Sequence, residues 1–578
     1  MHAMRDRLWR VAALLSYVVL ALLVIGRPLI SPNIVTGVGV DLPGTLWMHG
    51  WVRLSTLAGE FPVSSNLLFY PEGKNFFNAT GANFIDAWLS IPFQWIWGVP
   101  DYLDWFEVAV LVGNALCFEA LVRELSGGRL VVAWACALAF EVNPFVLTEL
   151  SQGRPTQAMV WFLLLAVRSL VRLPTGSSRD AVLFGLYATL QGLTYWFTLY
   201  FLVLGLLPVA LVQLLRSPRK VAPRLVLAIA VTLLLVSPFL YRIHAEMLAG
   251  RVPRTDVADW HGATEPERWH RSAVLFTRVT VGALAVAALL QLRRAWPWLL
   301  GFVLTIGVAA GSAVSVGAVT LENPIYGFLW EFIPFFRRLA FPERISAIGF
   351  VVIVAAGAVG LSRVRARWSV LVAMLAFGEP FGSGLLPLPV TAYPPSRAEV
   401  LVRDGGGAVI GLPFGLSELQ MVSQARHGQP LFGGMGEGAA DLYTPAFAAR
   451  LDNTFVLMLV ATDSDAEPRI GYTSEDREAI VKLYRWVWLE RRRAPSSGTL
   501  RRFDPLGRLR RLTEELGAPV YSDGRQVLWD LRAVPVNPPG LGSDVTLAGE
   551  KERALIVPIV PIVPIVRTVP TPRGSLPR

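Results

Sequence analysis

Long apolar runs closed by arginine or lysine recur along the first two thirds of the chain. The first, Leu8 to Ile25, is preceded by Arg5, Arg7 and Arg10 and stopped by Arg27-Pro28. At ~1.5 Å per residue such a run crosses the ~30 Å hydrocarbon core of a bilayer as a helix. No small-residue cleavage site follows it, so an uncleaved first span is expected rather than a leader. Further spans are predicted over Trp105 to Leu121, Val131 to Leu147, Met159 to Val171, Leu225 to Tyr241, Ala273 to Leu292, Trp298 to Val319, Ile345 to Leu361 and Trp368 to about Leu386. The run Ala181 to Leu215 is too long for one crossing and has basic residues at both ends, which predicts two spans joined near Gly192 to Trp196. Trp88 to Trp97 holds about ten residues where about twenty are needed, and so predicts a segment lying at the interface.

The pattern predicts a polytopic α-helical membrane protein of about 11 spans. Basic connections, among them Arg123 with Arg129, Arg172 with Arg179, and Arg363 to Arg367, then all fall on one side. The excess of arginine and lysine marks that side as cytoplasmic, which places the N-terminus inside and everything after the last span outside. From Leu388 the pattern changes. Ala408 to Leu412 and Gln526 to Asp530 read as strands, and Arg477 to Arg492 and Gly507 to Leu516 as helices. The expected organisation is a transmembrane domain over 1–387 with a first outer loop at 31–104, an extracytoplasmic α/β domain over 388–550, and a Pro-rich tail over 551–578. The tail contains the repeat Val557 to Val566, whose prolines exclude a helix.

Composition agrees with membrane residence: 53% of the 578 residues are hydrophobic and only 17% charged, too little polar material to cover a soluble globule. A net charge of +10 would suggest nucleic acid in a soluble protein. Here the basic residues sit at the ends of apolar runs and set topology, so no nucleic-acid partner is expected. Cys117 and Cys136 both lie in apolar runs and offer neither a disulfide framework nor a zinc site.

The stretch Thr36 to Asp86 is long, poor in charge and rich in Pro, Gly, Asn and aromatics, which favours a folded site over a linker. Outer-face acids are Asp41, Glu72, Asp86, Glu149, Asp256, Asp259 and Glu322; outer-face bases are Arg154, Arg337, Arg338 and Arg344, with His49, His261 and His270. Arginines facing acids at a membrane surface suit a phosphate or pyrophosphate, which a guanidinium binds bidentately. A neighbouring acid can act as general base or hold a divalent metal. Blander roles compete: Asp41 can cap a helix before Pro43-Gly44, Arg337 and Arg338 can anchor at the interface, and Asp256 to His261 can be a solvated loop. No Walker loop, nucleophile elbow, CxxC pair or HExxH helix occurs.

Asp41 just after the first span, Trp47, Asn66-Leu-Leu-Phe69-Tyr70-Pro71-Glu72-Gly73 and Ile333-Pro334-Phe-Phe-Arg337-Arg338-Leu-Ala-Phe-Pro342-Glu-Arg344 together resemble bacterial integral membrane glycosyltransferases of the GT-C superfamily and their YfhO-like relatives. The resemblance implies a plasma-membrane enzyme that moves a sugar, with inversion, from a polyprenyl-phosphate-linked donor to an extracytoplasmic glycan, lipid or protein acceptor. It implies that Asp41 is the catalytic acid of the first outer loop. Arg337, Arg338 and Arg344, with Arg154, Glu72 and Glu149, would bind substrate. Asp41 stands between Val40 and Leu42 with no second acid beside it, and the need for a divalent metal is open. The competing class is a non-catalytic membrane protein or transporter for envelope polysaccharide. A transporter should show internal repeats and mid-membrane charges, and neither is evident.

Overall fold

The computed structural model describes residues 2–39, 41–76, 84–248, 278–316, 319–333, 336, 342–382, 384–414, 420–434, 443–460, 470–491 and 505–533. It divides into two units. The first comprises Met1–Ser65, Lys74–Pro395 and Met421–Ala425; the second takes Asn66–Gly73, Ser396–Gln420 and the described residues from Arg426 onward.

The first unit is mostly helical. Its N-terminal half runs α1 (His2–Ile25), β1 (Ile34–Thr36), α2 (Asp41–Leu57), α3 (Ile85–Trp97), α4 (Tyr102–Leu125), α5 (Leu130–Glu141), α6 (Pro144–Ser151), α7 (Pro155–Ala158), α8 (Trp161–Arg172), α9 (Ser178–Thr194) and α10 (Trp196–Arg216). It continues with α11 (Pro218–Leu248), α12 (Val279–Leu289), α13 (Leu292–Ala309), α14 (Pro324–Phe332), α15 (Ser346–Leu361), α16 (Ala366–Gly382) and β2 (Val390–Ala392). Among the described residues, six helices are long and apolar enough to cross a membrane: Arg7–Ile25, Tyr102–Leu125, Leu130–Ser151, Trp196–Arg216, Pro218–Arg242 and Pro342–Leu361. The remaining apolar runs carry shorter helices. The stretch Trp298 to Val319 is helical only as far as Ala309 and then turns into a hairpin, Ala313–Val316 with Val319–Glu322.

Local chemistry sets the breaks. Asn143 accepts from the Val146 amide at 3.1 Å and Pro144 occupies the first helical turn, so α6 starts afresh after α5. The long run from Ala181 divides at Tyr195, whose backbone is extended. The helices pack around α15, every residue of which is buried. Its small residues permit this: a Cβ on Gly360 would lie 1.8 Å from the Ala287 carbonyl oxygen, so α12 and α15 meet backbone to backbone.

The stretch between α1 and α4 holds both α2 and α3. Its base is tied to α4: Asp104 Oδ1 accepts from the Thr36 amide at 2.9 Å and from Thr36 Oγ1 at 2.7 Å. β1 pairs antiparallel with β2, Ile34 opposite Ala392, which fastens the loop to the segment leaving the last helix.

The second unit contains α17 (Arg397–Gly405), β3 (Ala408–Leu412), α18 (Ser474–Leu483), β4 (Tyr484–Glu490), α19 (Pro505–Leu516), β5 (Tyr521–Ser522) and β6 (Gln526–Asp530). The four strands form one sheet in the order β3-β4-β6-β5, with β3 parallel to β4 and the other pairs antiparallel. This corrects the expected helix over Arg477 to Arg492. The helix ends at Leu483, and the aromatic and β-branched residues of Tyr484–Glu490 form a central strand, as such residues prefer.

Asn66–Gly73, far away in sequence, folds into this unit. Leu431 donates to the Leu67 carbonyl at 2.8 Å, Tyr70 to that of Leu431 at 3.0 Å, and Phe69 to that of Gly433 at 3.2 Å. The tail over 551–578 lies outside the described residues.

Candidate active site

The approach of two backbones builds the site. Gly37, Val38 and Gly39, just before α2, run along the turn that joins α6 to α7, and Val38 donates to the Ser151 carbonyl at 3.0 Å. A Cβ on Gly39 would lie 2.1 Å from the Gln152 carbonyl oxygen, and Gly153, at φ +70, sits against Leu42. Thr45 Oγ1 closes the contact on the Gly153 carbonyl at 3.0 Å. Side chains at these glycines would hold the segments apart.

The result is that Asp41, the first residue of α2, meets Arg154, the residue before α7. Arg154 Nε donates to Asp41 Oδ2 at 2.5 Å, and Arg154 Nη1 lies 3.6 Å from Glu149 Oε2. Asp41 is half exposed, whereas Glu149 is buried. Burial opposes the charge on Arg154, but Asp41 and Glu149 outweigh it and hold the guanidinium above its ordinary range.

A second arginine joins from the other side of the chain. Arg344, in the 3-10 turn Pro342–Ile345, donates to the Tyr195 hydroxyl at the break between α9 and α10. Its guanidinium also stands 5.6 Å from the centre of the Tyr195 ring. Burial pushes the Tyr195 phenol up to about 12, with Arg344 acting in the opposite direction. Glu149 interacts electrostatically with Arg154, Arg344, Asp41 and Glu343, so these groups form one cluster.

Of the residues singled out in the sequence, Asp41, Glu149, Arg154 and Arg344 are therefore brought together. Glu72 is not among them: it accepts from Arg450 Nε at 3.1 Å inside the second unit. Arg337 and Arg338 lie outside the described residues, as do Asp256, Asp259, His261 and His270. His49 and Asp86 are buried against each other, Nε2 to Oδ2 at 3.1 Å. Sequence reasoning missed Tyr195, although the turn it occupies was already required by the length of the run around it.

Among the described residues, no group of three or more His, Cys, Asp or Glu side chains is arranged to hold a metal ion. The acids at the site are matched by arginines instead: a cation between Asp41 and Glu149 would have to displace Arg154. The donor set does not fit a metal, and no chemistry below is routed through one.

No protein-family model matches the chain, and no curated protein matches it. Solved structures do. The oligosaccharyltransferase of Archaeoglobus fulgidus in its apo form superimposes with a TM-score of 0.50 at 12% identity, over 83% of this chain and 69% of that one. A mutant of the mycobacterial arabinofuranosyltransferase AftD gives 0.56 at 17% identity, over 91% of this chain and 41% of that one. The chain has the GT-C fold. ArnT from Cupriavidus metallidurans, apo, gives 0.53 at 12% identity and is matched over 98% of its length by 91% of this chain. At such identities the likeness is one of fold, and activity has to be argued from the site.

Proposed function

We propose that the chain is a membrane glycosyltransferase that moves a sugar from a polyprenyl-phosphate-linked donor to a hydroxyl acceptor on the extracytoplasmic face. The observation that supports this most is an acid and two arginines, Asp41, Arg154 and Arg344, gathered on a GT-C fold. In the proposed step the acceptor oxygen attacks the anomeric carbon from the face opposite the phosphate. Its proton passes to a carboxylate oxygen of Asp41, and the anomeric C–O bond breaks with its electron pair leaving on phosphate oxygen. The donor phosphodiester carries one negative charge and the released polyprenyl phosphate two. Arg154 and Arg344 stabilise the charge that develops, and Arg337 and Arg338 are assigned the same task.

Arg154 occupies Asp41 Oδ2 in the resting chain, so an acceptor hydroxyl reaches that oxygen only once the guanidinium has moved away. The donor phosphate competes for the same guanidinium, so donor binding uncovers the base. Glu149 holds Arg154 from the other side. Glu72, bonded to Arg450, is given a structural role.

The proposed topology has eleven spans, an N-terminus in the cytoplasm and an extracytoplasmic domain over 388–550 that selects a cell-envelope glycan, lipid or protein acceptor; the protein resides in the plasma membrane. The test is an assay of the purified full chain against a panel of polyprenyl-phosphate sugars, with wild type and Asp41→Asn in parallel. Transfer by the wild type alone supports the reading; equal transfer by both removes Asp41 from the mechanism.

A further inference from the structure

Thr156, two residues past Arg154, donates from Oγ1 to Asp86 Oδ2 at 2.5 Å. His49 Nε2 meets the same oxygen at 3.1 Å. His49 and Asp86 are each 1% exposed, and neither Asp86 Oδ1 nor His49 Nδ1 has a hydrogen-bond partner among the described residues. The His49 ring is packed against Tyr102 and Phe106, 5.9 and 5.7 Å between ring centres, and its carbonyl accepts from Gln94 Nε2 at 3.1 Å. His49 belongs to α2, about two turns beyond Asp41. The segment Arg154 to Thr156 is thus gripped twice by the helix that carries the base: directly, Arg154 on Asp41, and indirectly, Thr156 through Asp86 on His49.

This arrangement is costly for a loop anchor. A buried carboxylate loses its hydration, and apolar packing would hold Pro155 and Thr156 without that loss. A hydrogen bond does what apolar packing cannot: it fixes direction. We propose that Thr156, Asp86 and His49 are positioning residues, which fix where Arg154 stands once a donor phosphate has drawn it off Asp41. The inference rests on the glycosyl-transfer reading given above. When Arg154 turns to phosphate the first grip is released, and the Thr156–Asp86–His49 grip keeps the guanidinium within reach of the donor. Removing it should weaken donor capture while leaving the base, and hence the chemical step, largely intact.

The experiment uses the full chain in lipid nanodiscs, with Thr156→Val, Thr156→Ser and Asp86→Asn. Four quantities are read: donor KM, kcat, the thermal midpoint and the direct affinity for decaprenyl phosphate, which needs no turnover. Loss of one hydrogen bond to a charged group corresponds to roughly a tenfold change. Thr156→Val and Asp86→Asn should raise donor KM and weaken decaprenyl phosphate binding by roughly that factor, with kcat within about threefold, and should also lower the midpoint, because buried Asp86 loses a partner or its charge. Thr156→Ser should behave as wild type. Wild-type values in Thr156→Val, or Thr156→Ser as poor as Thr156→Val, would overturn the proposal, as would a fall in kcat and midpoint with donor KM unchanged. If the wild type transfers no sugar, the transferase reading fails, and the binding arm still decides: decaprenyl phosphate bound by wild type and by Thr156→Val alike, or by neither, overturns the positioning role.

Discussion

Arg154 serves two acids with different nitrogens, Nε toward Asp41 and Nη1 toward Glu149. A lysine keeps the charge but places it at one point, so it cannot serve both acids and a phosphate. Arg154→Lys should therefore lower kcat/KM by ~10²-fold or more, the scale of losing a preorganised donor, while expression and melting stay near wild type. The backbone beneath is equally constrained. Gly39→Ala would push a methyl into the Gln152 carbonyl, and the forced shift should cost ~1–3 kcal/mol in stability and reduce transfer further by separating Asp41 from Arg154. A thermal midpoint measured beside activity checks both effects. In the second unit His427 is buried, which lowers its pKa to about 3. Below pH ~6.5 the unfolded chain gains a proton there that the folded chain refuses, so stability should fall as pH drops from ~6.5 toward 3. His427→Asn should flatten that acid limb in pH-dependent denaturation.

At the scale of elements, apolar runs announce helices, because a bilayer demands length and hydrophobicity that the sequence must carry openly. The two helices between Ala181 and Leu215 follow from the same logic. Contacts made across long sequence separations are harder to read. Nothing local in Asn66–Gly73 says that it pairs with Leu431 and Gly433, so Glu72 looks like a substrate ligand until Arg450 is seen beside it. Likewise the helical pattern from Arg477 runs without interruption into residues that become a strand only because β3 and β6 flank them. Asp41, Glu149, Arg154 and Arg344 could be named as candidates from their charge and their places between apolar runs, whereas Tyr195 and Thr156 are ordinary polar residues until the chain closes around them. The Asn66–Gly73 insertion has a testable consequence. Arg450→Ala leaves the Glu72 carboxylate without its partner and should destabilise the second unit by ~1–3 kcal/mol, read as a lower midpoint and easier proteolysis there.

At the scale of the whole molecule, the proposed step needs Asp41 and Arg154 on the same side of the membrane. Reporter fusions at Arg172 and within Ala408–Leu412 should report opposite sides, and identical sides would break the proposed topology. Dependence on Asp41 tests the central claim more directly. A general base contributes ~10²–10⁴-fold to rate, whereas a helix cap contributes ~0.5–2 kcal/mol to stability, and Asn caps nearly as well as Asp. The decisive measurement is single-turnover transfer from polyprenyl-phosphate sugars by the purified full chain and by Asp41→Asn. If Asp41 is the base, transfer by the variant is at least a hundredfold slower at an unchanged melting temperature. Transfer at the wild-type rate by Asp41→Asn would contradict it.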